Sequence, residues 1–120
     1  MRILIADDNK FVRRGITGLL ATDSRCEICG EASDGDETLQ QVKELCPDLV
    51  LLDVSMPGTD GLETTRRLRQ QAPDLKILIM SQHDPSQLSA SAIEAGAAAS
   101  LDKSRIATDL LPTVRRMFNL

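Results

Sequence analysis

The sequence predicts an α/β domain built on a doubly wound parallel sheet. Short apolar runs alternate five times with longer amphipathic stretches along the chain, the pattern of successive β–α units. The run at residues 49–52, Leu-Val-Leu-Leu, is apolar without interruption, as expected of a strand covered on both faces. Four of the runs stop at polar residues with chemical potential: Asp7-Asp8, Asp53, Ser81 and Lys103.

Residues 2–6 read as the first strand. Residues 10–21 read as a helix, with Phe11, Val12, Ile16, Leu19 and Leu20 on its core side. Gly15 and Gly18 weaken this helix, so packing must support it. Residues 27–32 read as strand. Residues 36–46 read as helix, with Leu39, Val42, Leu45 and Cys46 on its apolar stripe and Pro47 ending it. Residues 48–53 form the central strand, and the turn-rich stretch 55–61 is a loop. A helix at 62–72 and a strand at 76–80 follow. A helix of small residues at 85–95 is stopped by Gly96, and residues 98–102 are the last strand. The final helix, about 107–118, turns Leu110, Leu111, Val114, Met117 and Phe118 to the core. Pro112 removes one of its hydrogen bonds, so it is expected to start late or bend.

Right-handed crossovers and five strands fit the flavodoxin-like order 2-1-3-4-5. Its switch point lies between strands 1 and 3, and ligands of such sheets bind at the carboxyl edge there. Those are the strands that end in Asp7-Asp8 and Asp53. Fold and residue chemistry select the same crevice.

At 120 residues the chain reads as one domain spanning 1–120, able to bury roughly two thirds of its unfolded surface. A net charge of −4 argues against direct nucleic-acid binding by this domain. The arginine groups Arg13-Arg14, Arg66-Arg67 with Arg69, and Arg115-Arg116 read as solvated helix faces. No apolar stretch is long enough for a signal peptide or membrane span, so a cytoplasmic location and no membrane partner are expected. Cys26 and Cys29 form a C-x-x-C, but strand residues three apart point to opposite faces, and one histidine leaves a zinc site short of ligands.

Clustered carboxylates repel, and a hard divalent cation removes the conflict. Oxygen donors suit Mg²⁺, with Asp8 and Asp53 as direct ligands and Asp7 acting through water. Asp53 is then placed to act as a nucleophile toward a phosphoryl donor. Lys103 supplies a point charge for phosphate, and Ser81 a hydroxyl to donate to it.

These residues resemble the receiver domain of two-component response regulators over essentially the full length. The matching stretches are Ile5-Ala6-Asp7-Asp8, Glu31-Ala32-Ser33-Asp34-Gly35, Leu51-Leu52-Asp53 with the loop to Gly61, and Leu101-Asp102-Lys103. Residues 30–35 and 80–84 look most like the NarL/LuxR-type subgroup. The resemblance implies the CheY-like form of the flavodoxin-like fold. It implies that Asp53 accepts a phosphoryl group from a phosphohistidine on a sensor histidine kinase. It also implies that Asp7, Asp8, Asp53 and the backbone carbonyl of Ser55 organise Mg²⁺, that Ser81 is the switch hydroxyl, and that Lys103 contacts the phosphoryl group. Such a domain is regulatory and not an enzyme beyond its own phosphorylation and dephosphorylation.

The departures bear on readout. Receivers usually place Tyr or Phe three residues before the lysine, where this chain has Ser100. The phosphoacceptor chemistry is untouched, but the aromatic part of the switch is replaced, and switching that is weakened or independent of phosphate is the alternative reading. Gln82 beside the hydroxyl position, with His83 and Ser55, is expected to tune access of water to an acyl phosphate. A Mg²⁺-dependent phosphatase would need an acid where Ser55 stands, and a flavin protein would need aromatics and a phosphate-cradling loop in place of Asp7-Asp8. The subgroup implies transcription regulation through a C-terminal helix-turn-helix domain absent from this chain, favouring a piece of a longer protein, and homodimerisation on phosphorylation.

Overall fold

Residues 1–82 and 85–120 are described in a computed structural model, the side chains of residues 85–89 apart. The elements are β1 (Arg2–Ala6), α1 (Lys10–Leu20), β2 (Glu27–Ala32), α2 (Gly35–Leu45), β3 (Leu49–Asp53), α3 (Gly61–Gln71), β4 (Lys76–Ser81), α4 (Pro85–Ala95), β5 (Ala99–Asp102) and α5 (Ile106–Met117). A 3-10 helix, Lys103–Arg105, joins the last two. The strands form one sheet in the order β2-β1-β3-β4-β5, all pairs parallel. The predicted fold class and strand order are therefore those observed.

Alternation along the strands divides the core into two layers. Leu4, Val50, Leu52, Ile77 and Ile79 face Val42 of α2, Leu68 of α3 and Ala92 of α4. Ile3, Ile5, Leu49, Leu51, Leu78 and Met80 face Ile16 and Leu20 of α1 and Leu110 and Val114 of α5. Each such fully buried aliphatic side chain is worth about 1.5–3 kcal/mol relative to exposure. β3 is buried at every residue, which fits its unbroken apolar run. Three helices on the carboxyl side of their strands begin at a polar cap. Asn9 accepts from the N–H groups of Phe11 and Val12, Asp34 from Glu37, and Asp60 from Leu62 and Glu63.

Most expected boundaries fall within a residue of those observed. Phe11 does not face the core: it is 68% exposed. The buried stripe runs through Val12, Ile16, Leu19 and Leu20, and Phe11 lies one residue off it, with the charges of Lys10 and Arg14 at 5.6 and 5.9 Å from its ring centroid. Cys46 also leaves the expected stripe. It caps α2 in the left-handed conformation (φ 49°), its N–H donating to the Val42 carbonyl, and this turn exposes the side chain. α5 does not start late: it begins at Ile106 and carries Pro112 inside it, on the exposed side. Cys26 and Cys29 pack into opposite layers, as strand geometry requires. Burial pushes both thiols above their ordinary pKa, so neither is poised as a nucleophile. Among the described residues no helix is long and apolar enough to cross a membrane.

Candidate functional site

The carboxyl edge of the sheet brings the chemistry-bearing residues together. Asp7 follows β1 and is fully buried, Asp53 ends β3 and is almost fully buried, and Asp8 is exposed beside them. One carboxylate oxygen from each of the three lies within 4.8 Å of the others. β1 and β3 are adjacent, with Ala6 paired to Leu52, so the acidic residues that follow them emerge side by side.

Lys103 closes the cluster from β5. Its Nζ donates to Asp7 Oδ2 at 2.8 Å and to Asp53 Oδ2 at 3.1 Å, and its side chain is only 9% exposed. Burial disfavours the ammonium, but the hydrogen bonds and charges of Asp7 and Asp53 outweigh that and raise the Lys103 pKa above its ordinary 10.5. The turn that delivers Lys103 is held by Asp102, whose carboxylate accepts from the N–H and hydroxyl of Ser104 at 2.9 and 2.8 Å. Those bonds hold the Asp102 carboxyl below its ordinary value.

The second carboxylate oxygens of Asp7 and Asp53 are also placed. Asp53 Oδ1 accepts from the Ser55 N–H at 2.8 Å and Asp7 Oδ1 from the Asn9 N–H at 2.9 Å. Ser55 itself is exposed and opens the loop toward α3. Ser81 is buried at the end of β4, where it pairs with Asp102 one position beyond the Asp53–Met80 pair. Ser100 is half-buried on β5, paired with Ile79. Gln82 is exposed and, with Val12, Lys103, Ser104 and Ile106, borders a cleft of about 530 Å³. His83 lies outside the described residues.

The structure thus unites Asp7, Asp8, Asp53 and Lys103, which are scattered along the chain. It adds contacts that residue types alone do not announce. Lys103 bridges two carboxylates across 96 residues of sequence, and Arg13 donates to the Asp7 carbonyl oxygen at 2.6 Å. The Thr59 hydroxyl, in the loop after β3, accepts from the Gly35 N–H at 3.0 Å and ties that loop to the start of α2. A donor set of three carboxylates, all hard oxygen, fits Mg²⁺ rather than a softer metal.

Fold and crevice together define an α/β domain with an acidic centre, two of its three carboxylates buried, at its topological switch point. The response regulator receiver domain matches residues 3–115, and the chain belongs to that family. It is 35% identical over 118 residues to the response regulator GacA of Pseudomonas aeruginosa, covering 98% of this chain and 55% of that protein. The chain therefore spans about half the length of such curated relatives. A two-component response regulator of the LuxR family from Aurantimonas sp. SI85-9A1 superposes with a TM-score of 0.91 at 33% identity, covering 97% of this chain and 83% of that one. The receiver domain of NtrX from Brucella abortus superposes with a TM-score of 0.84 at 29% identity over 95% of each chain.

Proposed function

We propose that this receiver domain takes a phosphoryl group from a phosphohistidine of a sensor histidine kinase onto Asp53 in a Mg²⁺-dependent reaction, and so controls an output domain or partner. The observation that carries the reading is the convergence of the Asp7, Asp8 and Asp53 carboxylates within 4.8 Å beside the Lys103 ammonium. Asp8, Asp53 and the Ser55 carbonyl would hold the metal, with Asp7 acting through water. Bound there, Mg²⁺ supplies charge neutralisation for a transferring phosphoryl group.

The chain's own residues do the rest. A carboxylate oxygen of Asp53 forms the new O–P bond as the N–P bond to histidine breaks, and the imidazole leaves with the electron pair. The Ser55 N–H fixes the rotation of the Asp53 carboxylate. Lys103 exchanges part of its contact with Asp7 and Asp53 for the phosphoryl oxygens, and Ser81 donates to them. Ser81 and Ser100, on neighbouring strands, carry the change outward without the usual aromatic. Ser55 and Gln82, both exposed, govern how water reaches the acyl phosphate. From the resemblance to LuxR-type response regulators we further propose control of a helix-turn-helix output domain and pairing of receivers on phosphorylation.

Incubation with acetyl phosphate or phosphoramidate and Mg²⁺, followed by intact mass measurement, tests this reading. One labile phosphoryl adduct is expected, lost in Asp53→Asn and after chelation. Its decay should quicken in Gln82→Ala. An adduct that persists in Asp53→Asn removes the assignment.

A further inference from the structure

Arg13 sits on α1, one turn after the Asn9 cap, with its side chain mostly covered (18% exposed). Its Nη1 donates to the Asp7 carbonyl oxygen at 2.6 Å, and its Nε donates to Glu31 Oε1 on β2 at 3.0 Å. Asp7 is therefore gripped at every polar atom. Its N–H donates to the Ala32 carbonyl at 2.9 Å, Oδ1 accepts from Asn9, Oδ2 accepts from Lys103, and its carbonyl accepts from Arg13. Asp8 is different. It is exposed, and none of the described hydrogen bonds ends on its carboxylate. Its direction follows from the peptide that joins it to Asp7, and Arg13 holds the carbonyl of that peptide.

We infer that Arg13, oriented by Glu31, is a positioning residue for cation binding: it locks the Asp7–Asp8 peptide so that the Asp8 carboxylate meets those of Asp7 and Asp53. This rests on the proposal that the crevice takes a divalent cation. The charge of Arg13 makes the inference decidable. A guanidinium beside a cation site repels the cation, so a bystander arginine there weakens binding and its removal tightens it. A positioning arginine predicts the opposite sign. Lysine cannot replace it fully, because the two bonds use two N–H groups fixed in one plane.

The test is a Mn²⁺ titration of the 120-residue chain, read by water-proton relaxation. Saturable binding by the wild-type chain that is lost in Asp8→Asn establishes that the metal reports the crevice. Arg13→Met should then raise the Mn²⁺ dissociation constant about tenfold, the lower end of what losing a partner behind a metal ligand costs. Arg13→Lys, with charge retained, should fall between it and wild type. Arg14→Met removes a neighbouring exposed charge and should leave affinity unchanged or slightly tighter. Equal or tighter binding in Arg13→Met overturns the inference, as does an equal loss in Arg14→Met. If circular dichroism shows Arg13→Met unfolded, Arg13→Lys decides, and wild-type affinity in that variant overturns it. Absent wild-type binding, or binding that survives Asp8→Asn, places the failure in the reading of the crevice instead.

Discussion

Lys103 puts an ammonium between two buried carboxylates, at 2.8 and 3.1 Å. Removing the cation leaves Asp7 and Asp53 facing each other in a site almost closed to water. Breaking a buried pair from one side costs about 3–5 kcal/mol, because the remaining charge has no compensation. Lys103→Met should therefore lower stability by about 3 kcal/mol in urea unfolding carried out in chelator. On the proposed reading Mg²⁺ would take over the same neutralisation, so its addition should recover much of that loss and stabilise the variant more than the wild type. Equal Mg²⁺ stabilisation of both would show that lysine and cation do not share the carboxylates. The lysine itself was legible in the sequence as a residue ending a strand-like run. Its grip on Asp7 was not, because that contact depends on side-chain reach across the switch point and not on any local pattern.

At the scale of elements, the start of α3 is fixed by steric closeness. Gly61 is its first residue, and a Cβ there would lie 2.6 Å from the Val54 Cα, a backbone atom with no freedom to yield. Gly61→Ala should push α3 away from the corner that follows Asp53, costing about 1–3 kcal/mol. The loop it displaces also presents Ser55, so the rate of phosphorylation by acetyl phosphate should fall along with stability. A full rate in a destabilised variant would uncouple the loop from the site. The helices and strands themselves were legible because strand runs are short and apolar, and helix starts carry Asn9, Asp34 and Asp60 as caps. Phe11 and Cys46 leave the expected apolar stripes for one reason. Both sit where a helix begins or ends, and there one residue of rotation, or one left-handed turn, moves a side chain from core to solvent. The 3-10 helix Lys103–Arg105 leaves no mark in hydrophobic spacing, because its signal lies in the Asp102 carboxylate capping Ser104.

Across the whole molecule, strand order followed from the β–α alternation, but the ties between distant segments did not. Asp23, in the connection from α1 to β2, is one of these. It is buried, it forms two side-chain hydrogen bonds with Arg25 at 2.9 and 2.7 Å, and it accepts from Arg115 of α5 at 3.1 Å. The Arg25 side chain and its backbone N–H hold the Asp23 carboxyl well below its ordinary 3.8, against the opposing effect of burial and with help from Arg115. Asp102, through Ser104, and Asp109, through Arg105, are lowered in the same sense. A carboxyl whose folded pKa is depressed binds fewer protons folded than unfolded. Its contribution is present above the ordinary value and is lost as pH falls below it. Lys103 has the opposite sign: its pKa is raised, so its contribution is intact below 10.5 and is lost only as pH climbs past that. Stability should thus be flat through neutral pH and fall on the acid side. Urea midpoints at about pH 5 and about pH 3 measure that fall. In Asp23→Asn the midpoint at the higher pH should drop while the difference between the two pH values shrinks, because the titrating group is gone. Arg115→Met should shrink it less, since Arg25 still holds the carboxylate. An undiminished acid-side fall in Asp23→Asn would assign it to the other carboxylates and leave the tie between α5 and the α1–β2 connection without a role in acid stability.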